Sequence, residues 1–537
     1  MKRKVLPICL SAILLFSLTA FSVGGNADSQ ASVTDRNIEK SLLNGSVTGS
    51  AANMDSKDEK LIDDFIEAFK LLAAVPRQSK HEKTISDSLK KWIENNGYNV
   101  VQNEANDLIY DIPATSGCEG LPLVGLQAHI DMVCVAEEGK VFDPLTDPIE
   151  PIIDRERGTM TANGTSLGAD DGAGVVLIMM ITQGRIASHG PLRVFLTTDE
   201  EEDMTGVLSI KEEDIAGVKY LINIDGEQSN TVMISSAADM RVTTTQKPKM
   251  IKSKKKSARK ITISGLLGGH SGVMINEGRC NGNIALADTL TTLRKSVPFD
   301  LVSFHGGTAE NAIPDKAEAV IQIRPADEKK LDSIVKKQLS TLKKKYNGIE
   351  TSINLFVEKT KRSKKALKKS VTNSFLKYAT EVIDGVYTMS TAIEGLVESS
   401  SNLGRMDASE KEVSMIQLVR SSSPDKLEEI RSKMEKLAKN INLSYTSQNG
   451  SRAWPVKTDS ILVPKITTVY KELTGNDMIA SAVHAGLECG AFSELDPELD
   501  IAGIGPDVVD VHSPKETLYL NSIPIVFNLL ENVLVSL

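Results

Sequence analysis

Apolar residues recur along this chain with two periods. Leu61, Phe65, Phe69 and Leu72, then Ile85, Leu89 and Trp92, fall at helical spacing and predict two amphipathic helices. Short β-type runs follow at 99–102, 108–112, 123–128, 192–197 and 220–224. Between the third and fourth of these lies 172–181, an apolar stretch of helix length once Gly174 starts it. Strands alternating with helices imply a mostly parallel sheet covered on both faces. Open sheets of that kind place their functional groups at the carboxyl ends of strands.

The pattern is interrupted in three places. Met1-Lys2-Arg3-Lys4 precedes an apolar run from Val5 to Val23, the basic and apolar regions of an export leader. Ala20 with Ser22, Ser22 with Gly24, and Gly25 with Ala27 each offer a small-residue cleavage pair. The run is close to the ~20 residues that span a bilayer, so an uncleaved anchor stays open. The expectation is an exported protein, secreted or in the cell envelope. Residues 26–57 are rich in Ser, Asn, Gly, Thr and Ala with few large apolar side chains, a tether in composition. Residues 246–260 hold eight Lys or Arg before Ile261-Thr262-Ile263 opens a fresh strand, which marks a domain boundary. A second basic stretch, 329–369, interleaves Leu and Ile at helical spacing. Solvated loop and helix faces explain most such runs, and docking on an anionic polymer is the sharper alternative. The earlier pattern resumes after Trp454-Pro455, so the middle of the chain reads as an insertion.

The expected organisation is a leader at 1–24, a tether at 25–57, one domain in two parts at 58–245 and 451–537, and an inserted domain at 246–450. The 537 residues, 41% hydrophobic and 25% charged, suffice for two or more cores. A net charge of −9 argues against a dedicated nucleic-acid binder, which needs a cationic surface. The five Cys show no C-x-x-C spacing, which argues against a zinc knuckle or a redox pair, and their scatter suits buried free thiols, so no structural disulfide is expected.

Five short segments carry the chemistry: His129-Ile130-Asp131, Asp170-Asp171 inside a Gly-rich turn, Asp199-Glu200-Glu201-Glu202-Asp203, Asp225-Gly226, and His512-Ser513-Pro514. Each alone has an ordinary reading. Asp170-Asp171 suits a helix N-terminus, and the acidic run suits a solvated face. Yet the acidic run follows Val194-Phe195-Leu196, which puts it at a strand end. Two His and three carboxylates with one spare Glu match a pair of divalent ions sharing a bridging carboxylate, plus a base for the water between them. Neighbouring Glu side chains on extended backbone diverge, so one can bind metal while the other meets that water.

These segments, with Gly268-Gly269-His270-Ser271-Gly272, Asn311-Ala312-Ile313-Pro314 and His484-Ala485-Gly486-Leu487-Glu488-Cys489-Gly490, resemble the M20 metallopeptidases, most closely the aminoacyl-histidine dipeptidase branch. The resemblance runs from about Lys60 to the terminus. It implies an α/β fold: a di-metal catalytic domain with a mostly parallel sheet flanked by helices, and an inserted α+β lid or dimerisation domain. His129 and Asp225 would bind one ion, Glu201 and His512 the other, with Asp170 bridging. Glu200 would be the general base and Asp131 would fix the site. His270 would stabilise the oxyanion, Arg279 and Asn311 would contact substrate, and the roles of His484 and Glu488 stay open. The Asp170-Asp171 peptide would be cis.

The implied activity is hydrolysis of Xaa-His and other dipeptides with two divalent cations, zinc first and manganese or cobalt as alternatives. Partners would be small peptides and a second copy of the chain, with no nucleic acid and a membrane only through an uncleaved leader. An M20-type amidohydrolase acting on N-acyl amino acids or short peptides is the main alternative. A binding protein that kept the fold and an aminopeptidase with other ligand spacing rank below it. Two departures from the branch stand out. Glu202 and Asp203 add charge beside the base, where like-charge repulsion would act on it, and Ala237-Ala238-Asp239 stands where Gly is expected.

Overall fold

The computed structural model describes residues 56–537; the leader and nearly all of the tether lie outside the described residues. Helix Ser56–Ala73 turns Phe65, Phe69 and Leu72 inward, and Lys83–Asn95 buries Ile85, Leu89 and Ile93, as their spacing requires. Eight strands form the first sheet in the order Val100–Gln102, Leu108–Ile112, Leu192–Thr197, Leu123–His129, Val218–Asn223, Asp500–Gly503, Thr231–Ser236 and Ile479–Val483. Its centre is parallel: Leu123–His129 pairs in parallel with both Leu192–Thr197 and Val218–Asn223, and the latter with Asp500–Gly503. Helix Ala169–Thr182 is buried almost throughout and crosses between two of these strands, a connection parallel pairing demands.

The second sheet has nine strands, every neighbouring pair antiparallel, and helices Gly282–Arg294, Glu328–Lys345, Lys369–Glu381 and Pro424–Asn440 belong to the same stretch of chain. It includes Ala238–Thr245, which lies between Val413–Ser421 and Ser444–Asn449. The boundary expected at 246 therefore comes too late by that strand. The lysine run made 246 look like a border, whereas the alternating burial of 238–245 is that of an antiparallel strand seated in the second sheet.

A small four-stranded sheet includes Val508–Val509 and Thr517–Tyr519, and their pairing closes the loop that carries His512. Cys118, Cys134, Cys280 and Cys489 are free thiols. Among the described residues no helix is long and apolar enough to cross a membrane.

Candidate active site

Parallel pairing aligns the carboxyl ends of three neighbouring strands, and each delivers acidic or imidazole groups within a few residues of its end. His129 ends one strand, Glu200 and Glu201 follow the strand ending at Thr197, and Asp225 follows the strand ending at Asn223. The left-handed backbone of Asp199 (φ 59°) redirects the chain just before the two Glu residues. Asp170 enters from the start of helix Ala169–Thr182, where it and Asp171 depart from helical geometry across a cis peptide. His512, also left-handed, completes the group from its loop.

The distances bring all five expected ligands together. His129 Nε2 lies 3.2 Å from Asp170 Oδ1 and 3.5 Å from Asp225 Oδ1. His512 Nε2 lies 3.1 Å from Asp170 Oδ2 and 2.7 Å from Glu201 Oε1. Asp170 thus faces one imidazole with each oxygen. Asp171 also lies within reach of His129 and Asp225. Its two oxygens, however, accept the backbone N–H groups of His129 (3.2 Å) and Gly174 (3.1 Å), so it shapes the turn.

Asp131 is fully buried and holds three parts of the site. Its Oδ1 lies 3.4 Å from His129 Nδ1 and accepts Glu200 N–H at 3.2 Å, while its Oδ2 accepts Glu201 N–H at 3.4 Å and Ser79 Oγ–H at 2.7 Å. One carboxylate therefore sets the imidazole ring and the backbone under both Glu residues.

Charge is crowded here. Burial, with Asp225 and Glu201 nearby, pushes the Glu200 carboxyl well above its ordinary value. Burial beside Asp170 raises Glu201 to about 7. Asp225, buried and near Asp170, rises to about 6. Burial works against a charged His512, but hydrogen bonds to Asp170 and Glu201 prevail and lift it to about 11. Imidazoles and carboxylates converging at these distances form a donor set of nitrogen and oxygen that fits divalent cations, and positive charge is what the surplus carboxylates lack.

Three buried residues that sequence reasoning did not single out hold the frame. Glu516 accepts the backbone N–H groups of Leu167 and Gly168 (2.8 Å each), Ala169 (2.7 Å) and Asp170 (3.2 Å). Arg77 donates to the carbonyls of Ile130 (3.2 Å), Asp131 (2.9 Å) and Gly168. A Cβ at Gly168, whose φ is 69°, would run into Arg77 and Met132, so the turn needs glycine. Gln127 donates to Glu488 Oε2 at 2.5 Å and accepts from Asn223 at 2.6 Å, and Thr197 Oγ–H donates to the same Glu488 oxygen at 2.7 Å. Glu488 thus ties together the three strand ends that supply His129, the Glu pair and Asp225.

A second cluster joins the two parts of the molecule. His270 Nδ1 accepts the N–H groups of Gly272 (3.3 Å) and Val273 (3.4 Å), which leaves its Nε2 as the N–H donor. Burial and Arg420 lower its pKa to about 4, so it is neutral near pH 7. His484 Nε2 sits 2.7 Å from Ser400 Oγ, and burial with Arg420 lowers it to about 3. Arg420 itself is buried, and its guanidinium has neither a hydrogen bond nor an ion pair among the described residues, although Asp239 stands across from it in strand register. No sequence motif marked Arg420.

Two expectations gain detail. Arg279 gives three of its five N–H donors to Glu277 (2.7 and 2.8 Å) and to the Gly268 carbonyl (2.7 Å), so it braces the His270 loop as well as standing near it. Glu202 and Asp203 are exposed and paired with Lys80 at 3.0 and 2.5 Å, which turns their charge away from Glu200. Asn311 sits half-buried beside His270, its backbone carbonyl accepting Ser271 N–H at 2.8 Å, with no hydrogen bond to its side chain among the described residues.

The sequence matches peptidase family M20/M25/M40 over residues 125–536. The chain belongs to that family. This M20 chain is 29% identical to the cytosol non-specific dipeptidase of Escherichia coli over 467 residues, covering 87% of this chain and 96% of the relative. It superposes on the aminoacylhistidine dipeptidase of Vibrio alginolyticus with a TM-score of 0.84 at 29% identity, over 88% of this chain and 96% of that one. A tripeptidase from Staphylococcus aureus shares the fold at a TM-score of 0.50 and 14% identity, over 88% of this chain and 97% of that chain. The eight-stranded sheet is thus the catalytic part of an M20 metallopeptidase and the nine-stranded sheet its lid.

Proposed function

We propose that this M20 enzyme is a dipeptidase that cleaves Xaa-His and other dipeptides, with His129 and Asp225 holding one divalent cation, Glu201 and His512 a second, and Asp170 both. The observation that carries the reading is Arg420, a buried guanidinium with no hydrogen bond or ion pair among the described residues, its neighbour Asp239 being taken by Ser451, and sharing its surroundings with His270 and His484. A buried, unpaired charge is costly, and a guanidinium fork fits a carboxylate. A free carboxylate one residue beyond the scissile bond is what a dipeptide always brings; a longer peptide brings it only at its last bond.

When bound, the two cations, zinc foremost, supply the Lewis acidity that activates water and polarises the scissile carbonyl. Glu200 takes the proton of the attacking water and passes it to the leaving amine. The Nε2–H of neutral His270 donates to the developing oxyanion, a contribution of about 3 kcal/mol for a well-placed donor. Asp131 keeps the His129 ring and the Glu200 backbone in register. Asn311 offers its free amide to the same substrate.

Two wider readings accompany this. Residues 1–24 favour export, and cell fractionation that finds the protein only in the cytoplasm would end that idea. The strand Asn354–Lys359 is an edge of the lid sheet with Phe356 exposed, which favours pairing of two copies through the lid.

The test is hydrolysis of β-Ala-His, several Xaa-His and Xaa-Xaa dipeptides, a tripeptide and an N-acetyl amino acid, beside Glu200→Gln. Cleavage confined to dipeptides, and reduced by orders of magnitude in a variant of unchanged metal content, is expected. Preference for the tripeptide or the acylated substrate would move the chain to the amidohydrolase reading.

A further inference from the structure

The chain carries a net charge of −9, yet two of its segments hold cations only. The first has Lys247, Lys249, Lys252, Lys254, Lys255 and Lys256; the second has Lys361, Arg362, Lys364, Lys365, Lys368 and Lys369. The fold brings these segments, more than a hundred residues apart, into one ribbon. Met250–Lys252 pairs antiparallel with Lys365–Leu367 in a two-stranded sheet separate from both large sheets. Lys252 stands directly opposite Lys365. Hydrogen bonds from Lys368 N–H to the Lys249 carbonyl (2.7 Å) and from Ser253 N–H to the Lys364 carbonyl (3.1 Å) extend the pairing, so a second lysine faces a lysine at 249 and 368. Arg362 closes the end by donating to the Ser253 carbonyl at 3.1 Å.

Like charges placed directly across an antiparallel pair destabilise it. Here that happens twice in four residues with little local relief. Eleven of the twelve cations are exposed, Lys255 being half-buried. Lys255 pairs with Asp300 at 3.2 Å and Lys365 with Glu410 at 3.3 Å, which leaves ten (12 − 2) without a carboxylate partner among the described residues. None of the twelve takes part in the catalytic group, so catalysis gives no account of them.

We propose that this ribbon docks a flexible, base-free polyanion, a linear polyol phosphate joined by phosphodiesters. Charge complementarity calls for an anion with many repeats, since the cations line both strands. Side chains alternate across a ribbon, so Lys249 and Lys368 point to one side and Lys252 and Lys365 to the other. A flat membrane could meet one set only, while a flexible chain can follow both. Neither segment contains Phe, Tyr or Trp. Nucleic-acid bases would find no stacking platform there, which favours a polymer without bases.

The test uses the metal-loaded enzyme and a variant carrying Lys252→Gln, Lys254→Gln, Lys256→Gln, Lys364→Gln, Lys365→Gln and Lys368→Gln. Binding of fluorescent poly(glycerol phosphate) is read by anisotropy against salt. The parent should bind with a log–log salt slope of about −4 or steeper, since each neutralised phosphate releases counterion. The variant should lose at least tenfold in affinity while its kcat/KM for a dipeptide stays within twofold. Six Lys→Gln changes on helix Glu328–Lys345, at 329, 330, 336, 337, 343 and 344, should leave binding within twofold. No binding by the parent, equal losses from both sets of changes, or equal or tighter binding of poly(dT) or of anionic phosphatidylglycerol vesicles overturns the proposal.

Discussion

Replacing Glu488 by Gln should stabilise the metal-free protein, increasingly so as the pH rises. Glu488 is wholly buried, its Oε2 accepts from Gln127 and Thr197, and its Oε1 has no partner among the described residues. Burial raises its pKa from an ordinary 4.5 to about 8. The folded chain therefore binds more protons than the unfolded chain between those two values. Stability linked to this group is complete below pH 4.5 and is lost as pH rises through 8. At about 1.4 kcal/mol per unit, the loss amounts to about 3 kcal/mol by pH 7 and approaches 5 kcal/mol above pH 9. Glutamine has no such proton to lose. Its carbonyl can accept from Thr197 and Gln127, and its amide replaces one unpartnered buried atom with another. The assay is the urea midpoint of both proteins, stripped of metal, from pH 5 to 9. The two curves should diverge by about 3–4 kcal/mol across that range. Parallel curves would show that Glu488 is ionised in the fold and refute the argument from burial.

Glu516→Gln places an amide where one carboxylate takes four backbone N–H groups; with charged hydrogen bonds contributing about 1.5–3 kcal/mol each, a loss of at least 2 kcal/mol in unfolding free energy is expected, with reduced metal content by elemental analysis as Asp170 shifts. Arg420→Met should lower kcat/KM for free dipeptides about a hundredfold, the effect of removing a charge-assisted pair of about 3 kcal/mol, and barely alter hydrolysis of a C-terminally amidated dipeptide. Lys80→Met releases Glu202 and Asp203, but both are exposed; the melting temperature should move by the equivalent of at most about 1 kcal/mol and kcat should not change.

How much of this was legible in the sequence depends on the range of the interaction. Apolar runs ending in Asp, Glu or His show where parallel strands deliver their groups, because strand burial and ligand type are both local. Arg77, Gln127, Glu488 and Glu516 are different. Each acts through hydrogen bonds to residues that are mostly far away in sequence, up to 361 positions for Gln127 and Glu488, and no local pattern reports such a partner. Arg279 is the converse case. A Gly-Gly-His loop invites a substrate role for a nearby arginine, and the structure adds a bracing role that the motif does not report, since the loop's own carbonyl and Glu277 take three of its five donors. At 238–245 a conspicuous neighbour, the lysine run, outweighed the quieter alternation of an antiparallel strand.

The same division explains the order of strength within the site. Asp131, Asp171 and Glu516 take most of their hydrogen bonds from backbone N–H groups or neutral side chains, so the fold satisfies them by itself. Asp170, Glu201 and Asp225 have little besides His129, His512 and one another. Buried like charges raise one another's proton affinity, and the pairings that ease this are two imidazoles held at hydrogen-bonding distance. The framing carboxylates therefore belong to the stability of the M20 fold, while the converging ones are left in need of cations. Binding free energy at those three carboxylates and two imidazoles is then also folding free energy, supplied where the protein alone is least favourable.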